Sequence, residues 1–461
     1  MSSRSKISWS DLRGATVGVW GLGVEGRASV ARLRAMGVSP VVVDDRPGIG
    51  DPQGNELPVL ATHEGGLAAL EACDVVVKAP GISRYRPEVE RLRRAGTAVV
   101  GGLGLWVEEA PPGRVACVTG TKGKSTVSAV SAHLLGRLGY RVLLGGNIGQ
   151  PPWDPAVGGE HDYWVVETSS FQATDLSSSP SVVAVTSLHP DHLDWHGDVE
   201  TYYADKLSAC SQPGADLTVA AGTSQALRER QALLGPRVRW VCGDARDPEP
   251  RWWERLGLPG DHNRINACIA RCVLEALGVP EAADPDALAD AAAGFQPLPS
   301  RLQRIGTVGG VDFVDDSLST NALAARAALD TYRGRRVALL AGGHDRGIDY
   351  GPLALAVAAR DLATLVVAMP DNGQRIADSV RAMGGPRAEV ELGADLDAAV
   401  LAAFDWARPD GVVLLSPAAP SFGPFRDYRE RAAAFAAAMR RCAAGAAGPA
   451  TGLNRGAGRA D

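Results

Sequence analysis

The stretch Val115-Ala116-Cys117-Val118-Thr119-Gly120-Thr121-Lys122-Gly123-Lys124-Ser125-Thr126 decides the reading of this chain. Its apolar first half reads as a buried strand, its glycines as a turn, and residues 127–138 as a helix. Strand, glycine loop, Lys-Ser-Thr and helix make a phosphate cradle. Backbone N–H groups can close on phosphate oxygens there, and the helix N-terminus adds partial positive charge. Lys124 can reach the outer phosphates of a nucleotide, and the Ser125 or Thr126 hydroxyl can bind Mg²⁺. The strict loop pattern has a further glycine five positions before Gly123, where this chain has Val118, so the motif is a shortened variant. The competing reading is an ordinary strand-to-helix turn. It leaves the two glycines, the lysine and the two hydroxyls unexplained as a set.

Around this stretch the chain has room for about three domains in its 461 residues. With 45% hydrophobic and 22% charged residues it reads as a globular chain with ample core. A net charge of −6 argues against non-specific nucleic-acid binding. The seven cysteines are odd in number and scattered, several in apolar runs, so reduced and buried thiols are expected. No apolar run reaches the length of a membrane span, and the N-terminal residues hold no apolar signal core, so a cytoplasmic protein is expected.

Residues 16–110 alternate strand-like and helix-like segments. A strand over 16–20 leads into Gly21-Leu22-Gly23-Val24-Glu25-Gly26, a Gly-x-Gly-x-x-Gly turn, and then a helix over 27–36. The next strand ends in Asp44 and Asp45. This is Rossmann-like equipment. Taken alone it suits NAD, with the two acids on a ribose, and it equally suits another diphosphate nucleotide such as a UDP-sugar. A turn needed only for helix–strand packing is the remaining reading. Pro111-Pro112-Gly113 and Pro297-Leu298-Pro299-Ser300 mark the domain boundaries. The expected fold class is therefore α/β with three domains. They are a Rossmann-like N-terminal domain (1–111), a central P-loop-type ATPase domain with a mostly parallel sheet (112–298) and a Rossmann-like C-terminal domain (299–443). The Ala/Gly/Arg tail over 444–461 cannot bury a core and is expected to be disordered.

In the central segment, a strand over 163–166 delivers Glu167, and one over 182–186 delivers His192 among His189-Pro190-Asp191-His192-Leu193-Asp194. Ligands of open α/β sheets sit at the carboxyl ends of strands, so Glu167 and His192 face the crevice of the phosphate loop. There they can ligate Mg²⁺ or Mn²⁺ beside nucleotide phosphates. A zinc site built from His189, His192 and His196 is the looser alternative, because the spacing matches no zinc pattern. A plain helix start at His192, capped by Asp191 or Asp194, is the bland one. Lys206 lies in a mixed helical stretch and reads as a solvated surface charge. Asn263 and Asn266, three apart, can share a helix face or serve as caps. In the last segment a hairpin turn at Gly309-Gly310 precedes strand ends that carry Asp316, Arg346 and Ser421.

The motifs Gly120-Thr121-Lys122-Gly123-Lys124-Ser125-Thr126, Gly146-Asn147-Ile148-Gly149, Glu167-x-Ser169-Ser170-Phe171-Gln172, Asp191-His192-Leu193-Asp194, His262-Asn263-x-x-Asn266 and Asp316-Ser317-x-x-Thr320-Asn321 occur in the order seen in Mur ligases. The resemblance covers the chain up to the tail, and the wording is most similar to the branch that adds glutamate to UDP-N-acetylmuramoyl-L-alanine. It implies ATP, Mg²⁺ or Mn²⁺, an acyl-phosphate intermediate and release of ADP and phosphate. By resemblance Lys124, Asn147, His192 and Lys206 are catalytic. ATP is held by Gly120 to Thr126 with Asn263, Asn266, Arg301 and Asp316. The metal is held by Ser125, Thr126, Glu167, His192 and, if carbamylated, Lys206. The UDP part is held by Gly21, Leu22, Gly23, Val24, Glu25, Asp45 and Arg46. The amino acid meets Thr320, Arg346, Ser421 and Phe422. A monomer is implied, without nucleic-acid or membrane partners.

Departures cluster where the amino acid binds. Leu318 stands where the D-glutamate-adding enzymes have lysine, Arg346 follows Gly342-Gly343-His344-Asp345 in place of another lysine, and Ser416-Pro417-Ala418-Ala419-Pro420-Ser421 replaces a cysteine-containing run. Gly101-Gly102-Leu103-Gly104 replaces an acidic strand end. This wording looks like the branch that adds L-glutamate, which works with a downstream epimerase. D-glutamate is the runner-up. An NAD-binding oxidoreductase, a nucleotide-binding regulator and a folate- or cyanophycin-type ligase are the remoter readings.

Overall fold

The structure is a computed structural model that describes residues 6–46, 58–243, 251–345, 347–421 and 424–446. Three sheets follow one another along the described chain. The first is built from β1 (Val17–Trp20), β2 (Val41–Asp44), β3 (Val59–Ala61), β4 (Val75–Lys78) and β5 (Ala98–Gly101), in the order β3-β2-β1-β4-β5. All its pairings are parallel. The valine runs explain this: β1 and β4 are buried along their whole length, as strands covered on both faces must be. Strand order reverses at β1, so the glycine turn after it opens into the crevice where ligands of such sheets bind. Gly26 is the packing glycine of that turn, since a Cβ there would lie 1.8 Å from the Gly21 carbonyl oxygen. The wording at 101–104 is more than a strand end, because a short helix, Gly102–Val107, starts directly after β5.

The central sheet contains β6 (Val115–Thr119), β7 (Val142–Gly146), β8 (Tyr163–Glu167), β9 (Val182–Val185), β10 (Leu217–Ala221) and β11 (Val238–Val241). Its order is β11-β10-β9-β6-β8-β7, again parallel throughout. Every residue of β6 is buried. It lies between β8 and β9, with Val118 opposite Glu167 and Thr119 opposite Val185. The phosphate loop therefore has the ends of both neighbouring strands beside it.

The last sheet contains β12 (Gln303–Val308), β13 (Val311–Asp315), β14 (Val337–Ala341), β15 (Thr364–Ala368), β16 (Ala388–Leu392) and β17 (Val412–Leu415), in the order β12-β13-β17-β14-β15-β16. Only β12 runs antiparallel, joined to β13 through the Gly309-Gly310 turn. Apolar layers cover both faces, one built around Phe313, Phe404 and Phe435 and the other around Leu329, Leu353 and Ile376.

The described chain forms two compact units. One spans 1–258 and 263–296 and holds the first two sheets; the other spans 259–262 and 297–461 and holds the third. Within the first unit, Trp9 and Trp153 pack with ring centroids 6.1 Å apart, and Trp153 donates to Ser29 Oγ at 3.2 Å. The final helix, Tyr428–Ala446, runs into the segment expected to be a tail, and the remainder of that segment, from 447, lies outside the described residues. All seven cysteines are free, six of them buried and Cys242 exposed. Among the described residues no helix is long and apolar enough to cross a membrane.

Candidate active site

The helix after the phosphate loop is Lys124–Arg137, so it starts three residues earlier than the apolar pattern alone suggests. Its N-cap, Gly123, has φ +89°, and a Cβ there would lie 2.7 Å from Asn266 Oδ1. Only glycine fits both constraints. The loop is tied to the end of β9: Thr121 N–H donates to the Ser187 carbonyl at 2.9 Å, and Lys122 N–H to Ser187 Oγ at 2.8 Å. Lys124 Nζ rests on the carbonyls of Gly120 (2.9 Å) and Thr121 (3.2 Å). Asn263 and Asn266 are buried, inside the Asp261–Ala276 helix rather than at its cap, and Asn266 Nδ2 donates to Asn263 Oδ1 at 3.2 Å. Their amides share a face, as the spacing suggests.

Glu167 ends β8 at 1% exposure. Its Oε1 accepts from Asn147 Nδ2 at 2.6 Å, and the Asn147 N–H donates to its carbonyl at 2.8 Å. Glu167 Oε2 is buried and has no hydrogen-bond partner among the described residues. A buried carboxylate oxygen left this way suits a cation, which is the partner a phosphate cradle needs. No group of three or more His, Cys, Asp or Glu side chains suited to a metal occurs among the described residues. Of the histidines in the zinc reading, His196 has both ring nitrogens engaged, by Asp205 and Ser170, which counts against that reading. His192 sits at the N-cap of the short Leu193–His196 helix in a left-handed conformation (φ 52°), with no side-chain capping bond. Burial holds its imidazole below the ordinary range, and Lys206, Lys124 and Lys122 push the same way against Asp191.

Lys206 corrects the sequence reading most sharply. It is a buried residue at 2% exposure, not a solvated charge. Its Nζ donates to the Gly120 carbonyl at 3.2 Å, the same oxygen that Lys124 uses, and lies 5.0 Å from the centre of the Tyr202 ring. Burial first, and Lys124 second, drive its ammonium well below the usual lysine range. The helix Val199–Leu207 has a mixed face, so its sequence holds no signal that this position points inward.

A second network escaped the sequence reading. His196 Nδ1 is 2.7 Å from Asp205 Oδ2, and its Nε2 is 2.9 Å from Ser170 Oγ. Tyr85 OH donates to both Asp205 oxygens at 2.8 and 2.9 Å. Ser170 lies three residues after Glu167, His196 four after His192, and Asp205 directly before Lys206. The network thus pins the three segments that carry the candidate catalytic groups. Ser170 is 1% exposed, so the arrangement positions rather than attacks.

A cavity of about 480 Å³ opens at the glycine turn. Gly21, Leu22, Gly23, Val24, Glu25, Asp45, Arg46 and Asn147 are among the residues that line it. Both acids at the end of β2, Asp44 within it and Asp45 just beyond, are engaged by the protein. Asp44 accepts from Leu22 N–H (2.7 Å) and Arg46 N–H (2.8 Å), while Asp45 accepts from Thr62 (2.7 Å) and pairs with Arg86 (2.7 Å). The acid missing from 101–104 has a substitute. Lys78 pairs at 2.5 Å with Asp175, whose Cβ would be 2.8 Å from a Cβ on Gly101. A side chain at 101 would push that carboxylate away.

In the second unit Asp316 follows β13. It accepts from Ser416 Oγ at 2.7 Å and from Leu302 N–H at 3.2 Å. Burial pushes its carboxyl up to about 7, opposed by these bonds and by the Arg301 charge. Ser421 is 9% exposed and Thr320 half-buried. Arg346 and Phe422 lie outside the described residues. Arg431, which no motif singled out, is 2% exposed and donates to the carbonyls of Ser317 (2.7 Å) and Ala419 (3.4 Å). It ties together the loops after β13 and β17 that carry Thr320 and Ser421.

Three parallel or mainly parallel sheets, a Gly-Lys-Ser cradle and a buried carboxylate beside it define a nucleotide-dependent enzyme. Family models agree. Residues 15–101 match the Mur ligase MurD-like N-terminal domain, 118–231 the Mur ligase middle domain and 300–419 the Mur ligase glutamate ligase domain. The chain is 43% identical to a UDP-N-acetylmuramoyl-L-alanine–L-glutamate ligase of Micromonospora sp., over 94% of this chain and 98% of the relative. It is 39% identical to the enzyme of that name from Xanthomonas axonopodis pv. citri, over 93% and 95%. Its fold is similar to the UDP-N-acetylmuramate-alanine ligase MurC of Thermotoga maritima, with a TM-score of 0.57 at 19% identity over 93% of this chain and 99% of that one. The chain belongs to the Mur ligase family and is an ATP-dependent amide ligase.

Proposed function

We propose that the chain joins L-glutamate to UDP-N-acetylmuramoyl-L-alanine, with ATP converting the alanine carboxylate to an acyl phosphate. The observation that carries this reading is the buried Glu167 Oε2, without a hydrogen-bond partner among the described residues, beside the lysine-bearing cradle in a chain 43% identical to a ligase of that name. Residues 1–111 take the UDP substrate, 112–298 ATP and 299–443 the amino acid.

The substrate carboxylate and the ATP γ-phosphate are both anionic, so bringing them together requires positive charge. Lys124 supplies it at the γ-phosphate. Ser125, Thr126, Glu167 and His192 would hold Mg²⁺ (or Mn²⁺), which would neutralise phosphate charge as a Lewis acid. Asn147, fixed by its bond to Glu167, and His192 orient the carboxylate oxygen that attacks phosphorus. ADP leaves as the acyl phosphate forms. The glutamate amine, held through Thr320, Arg346, Ser421 and Phe422, then attacks the carbonyl carbon. The resulting tetrahedral intermediate expels phosphate, the nitrogen loses its proton, and the amide remains. Gly120 to Thr126, Asn263 and Asn266 bind ATP. Gly21 to Glu25, Asp45 and Arg46 bind the UDP part. Lys206 is the residue to carry a carbamate, because a buried lysine pushed toward its neutral amine is the form that adds CO₂.

Phosphate release measured with ATP, Mg²⁺ and UDP-N-acetylmuramoyl-L-alanine is expected with L-glutamate and not with D-glutamate. Release with D-glutamate alone assigns the other branch, and release with neither overturns the reading. Asp205→Ala is expected to lower kcat by roughly 10- to 100-fold, because it frees His196 and the Lys206 segment to shift by about an ångström. The KM for the UDP substrate should stay within about 2-fold, since the glycine turn is untouched. A rise in that KM at unchanged kcat would contradict a positioning role.

A further inference from the structure

Glu25 stands in the wall of the nucleotide-substrate cavity, on the first turn of the Val24–Ala35 helix. Among the described residues its carboxyl makes one side-chain hydrogen bond, Oε1 accepting from Gln172 Nε2 at 2.5 Å. Gln172 in turn uses its own Oε1 to accept from Ser169 N–H at 2.7 Å, so the carboxamide is locked with its amide aimed at Glu25. That commits Glu25 Oε1 as an acceptor, while Oε2 makes no hydrogen bond among the described residues, on a side chain that lines the cavity.

The charges around this group are already balanced without it. Lys78 on β4 and Asp175, just beyond the Ser170–Ala173 helix, face Glu25 and pair with each other at 2.5 Å, with side chains 0% and 6% exposed. On the cavity's other wall, Asp44 and Asp45 stand with Arg46, and Asp45 is paired with Arg86. An ionised Glu25, itself half-buried, adds a net negative charge beside the buried Lys78–Asp175 pair, next to the turn where a diphosphate is to sit. The helix N-terminus favours the anion by less than about 1 kcal/mol, which a second anion at close range outweighs.

We propose that Glu25 is a specificity-determining hydrogen-bond donor to the diphosphate of the nucleotide substrate, working as a neutral carboxylic acid through Oε2. The inference rests on the UDP-substrate reading above. Desolvation is the main cause that raises its carboxyl to about 7, with Asp175 adding to it and Gln172 and Lys78 opposing. The sign follows from linkage. The acid is neutral below its raised value, a bound diphosphate raises it further, and binding weakens as pH climbs through the free-protein value.

The test is the affinity of the full chain for UDP-N-acetylmuramoyl-L-alanine, by titration calorimetry between pH 6 and 8.5 without ATP. Both phosphates of a sugar nucleotide are diesters and do not titrate in this range. Wild-type Kd is expected to rise about 10-fold per pH unit once Glu25 ionises. Glu25→Gln, a permanently neutral donor of the same shape, should bind within about 3-fold of the wild type at pH 6 and stay flat to pH 8.5. A flat wild-type profile overturns the proposal without recourse to any variant, and so does a Glu25→Gln profile that follows the wild type. Absence of binding at every pH overturns this inference together with the UDP-substrate reading. Binding without pH dependence overturns this inference alone.

Discussion

Lys124→Ala is expected to lower ATP-dependent phosphate release by at least about 1,000-fold, or roughly 4 kcal/mol of transition-state stabilisation. Two features set the size of the effect. Lys124 Nζ is held on the Gly120 and Thr121 carbonyls at 2.9 and 3.2 Å, so its charge is in place before the nucleotide arrives and needs no reorganisation. It also works where protein screens charge less than water does. Alanine favours the first helical turn, so the Lys124–Arg137 helix should form normally. A thermal melt matching the wild type, with turnover lost, is the expected pair of results. Residual turnover within about 10-fold of the wild type would remove Lys124 from the phosphoryl-transfer machinery. Lys206 gives a second readout: losing its cationic neighbour should raise its ammonium toward the ordinary range, because that repulsion is the second cause of its depression.

Glu167→Gln is the other large effect, a fall on the order of 10²–10³-fold in turnover. The substitution is chosen because glutamine can keep the acceptor bond from Asn147 Nδ2, now at 2.6 Å, while removing the negative charge of the partnerless Oε2. Packing at the end of β8 is thus preserved and metal attraction is not. The readout that separates the two is Mn²⁺ binding in the presence of ADP, followed by electron paramagnetic resonance. It should weaken in step with turnover, and excess Mn²⁺ should restore part of the rate. Unchanged Mn²⁺ affinity beside reduced turnover would place the metal elsewhere and leave Glu167 with a role only in holding Asn147.

Much of this was legible in the chain. The valine runs of β1, β4, β6 and β9 read as strands because strands buried on both faces must be apolar throughout. Glycine turns after β1 and β6 are legible because close backbone approach or a left-handed conformation leaves no choice of residue, as Gly26 against the Gly21 carbonyl and Gly123 at φ +89° illustrate. The place of Glu167 was legible because it closes an apolar strand, whereas His192 lies beyond the end of β9, at the start of the short Leu193–His196 helix. Strands β10 and β11 carry no motif and were passed over.

Lys206, Asp205, His196, Lys78, Asp175 and Arg431 were different. Each is a polar residue on a short or mixed segment, and nothing local separates a solvated charge from one buried against a partner about 100 residues away, as Lys78 and Asp175 are. The sequence by itself determined three α/β sheets, the phosphate cradle and the order of its motifs, because backbone hydrogen bonding and apolar burial act through local pattern. Tertiary structure alone decided which charges are buried and what they pair with. It put Lys206 on the same carbonyl as Lys124, set Asp175 against Lys78 where glycine leaves room, and placed Glu25 in the wall of the cavity at the glycine turn. Desolvation and Coulomb energy depend on distances through space, which spacing along the chain does not record.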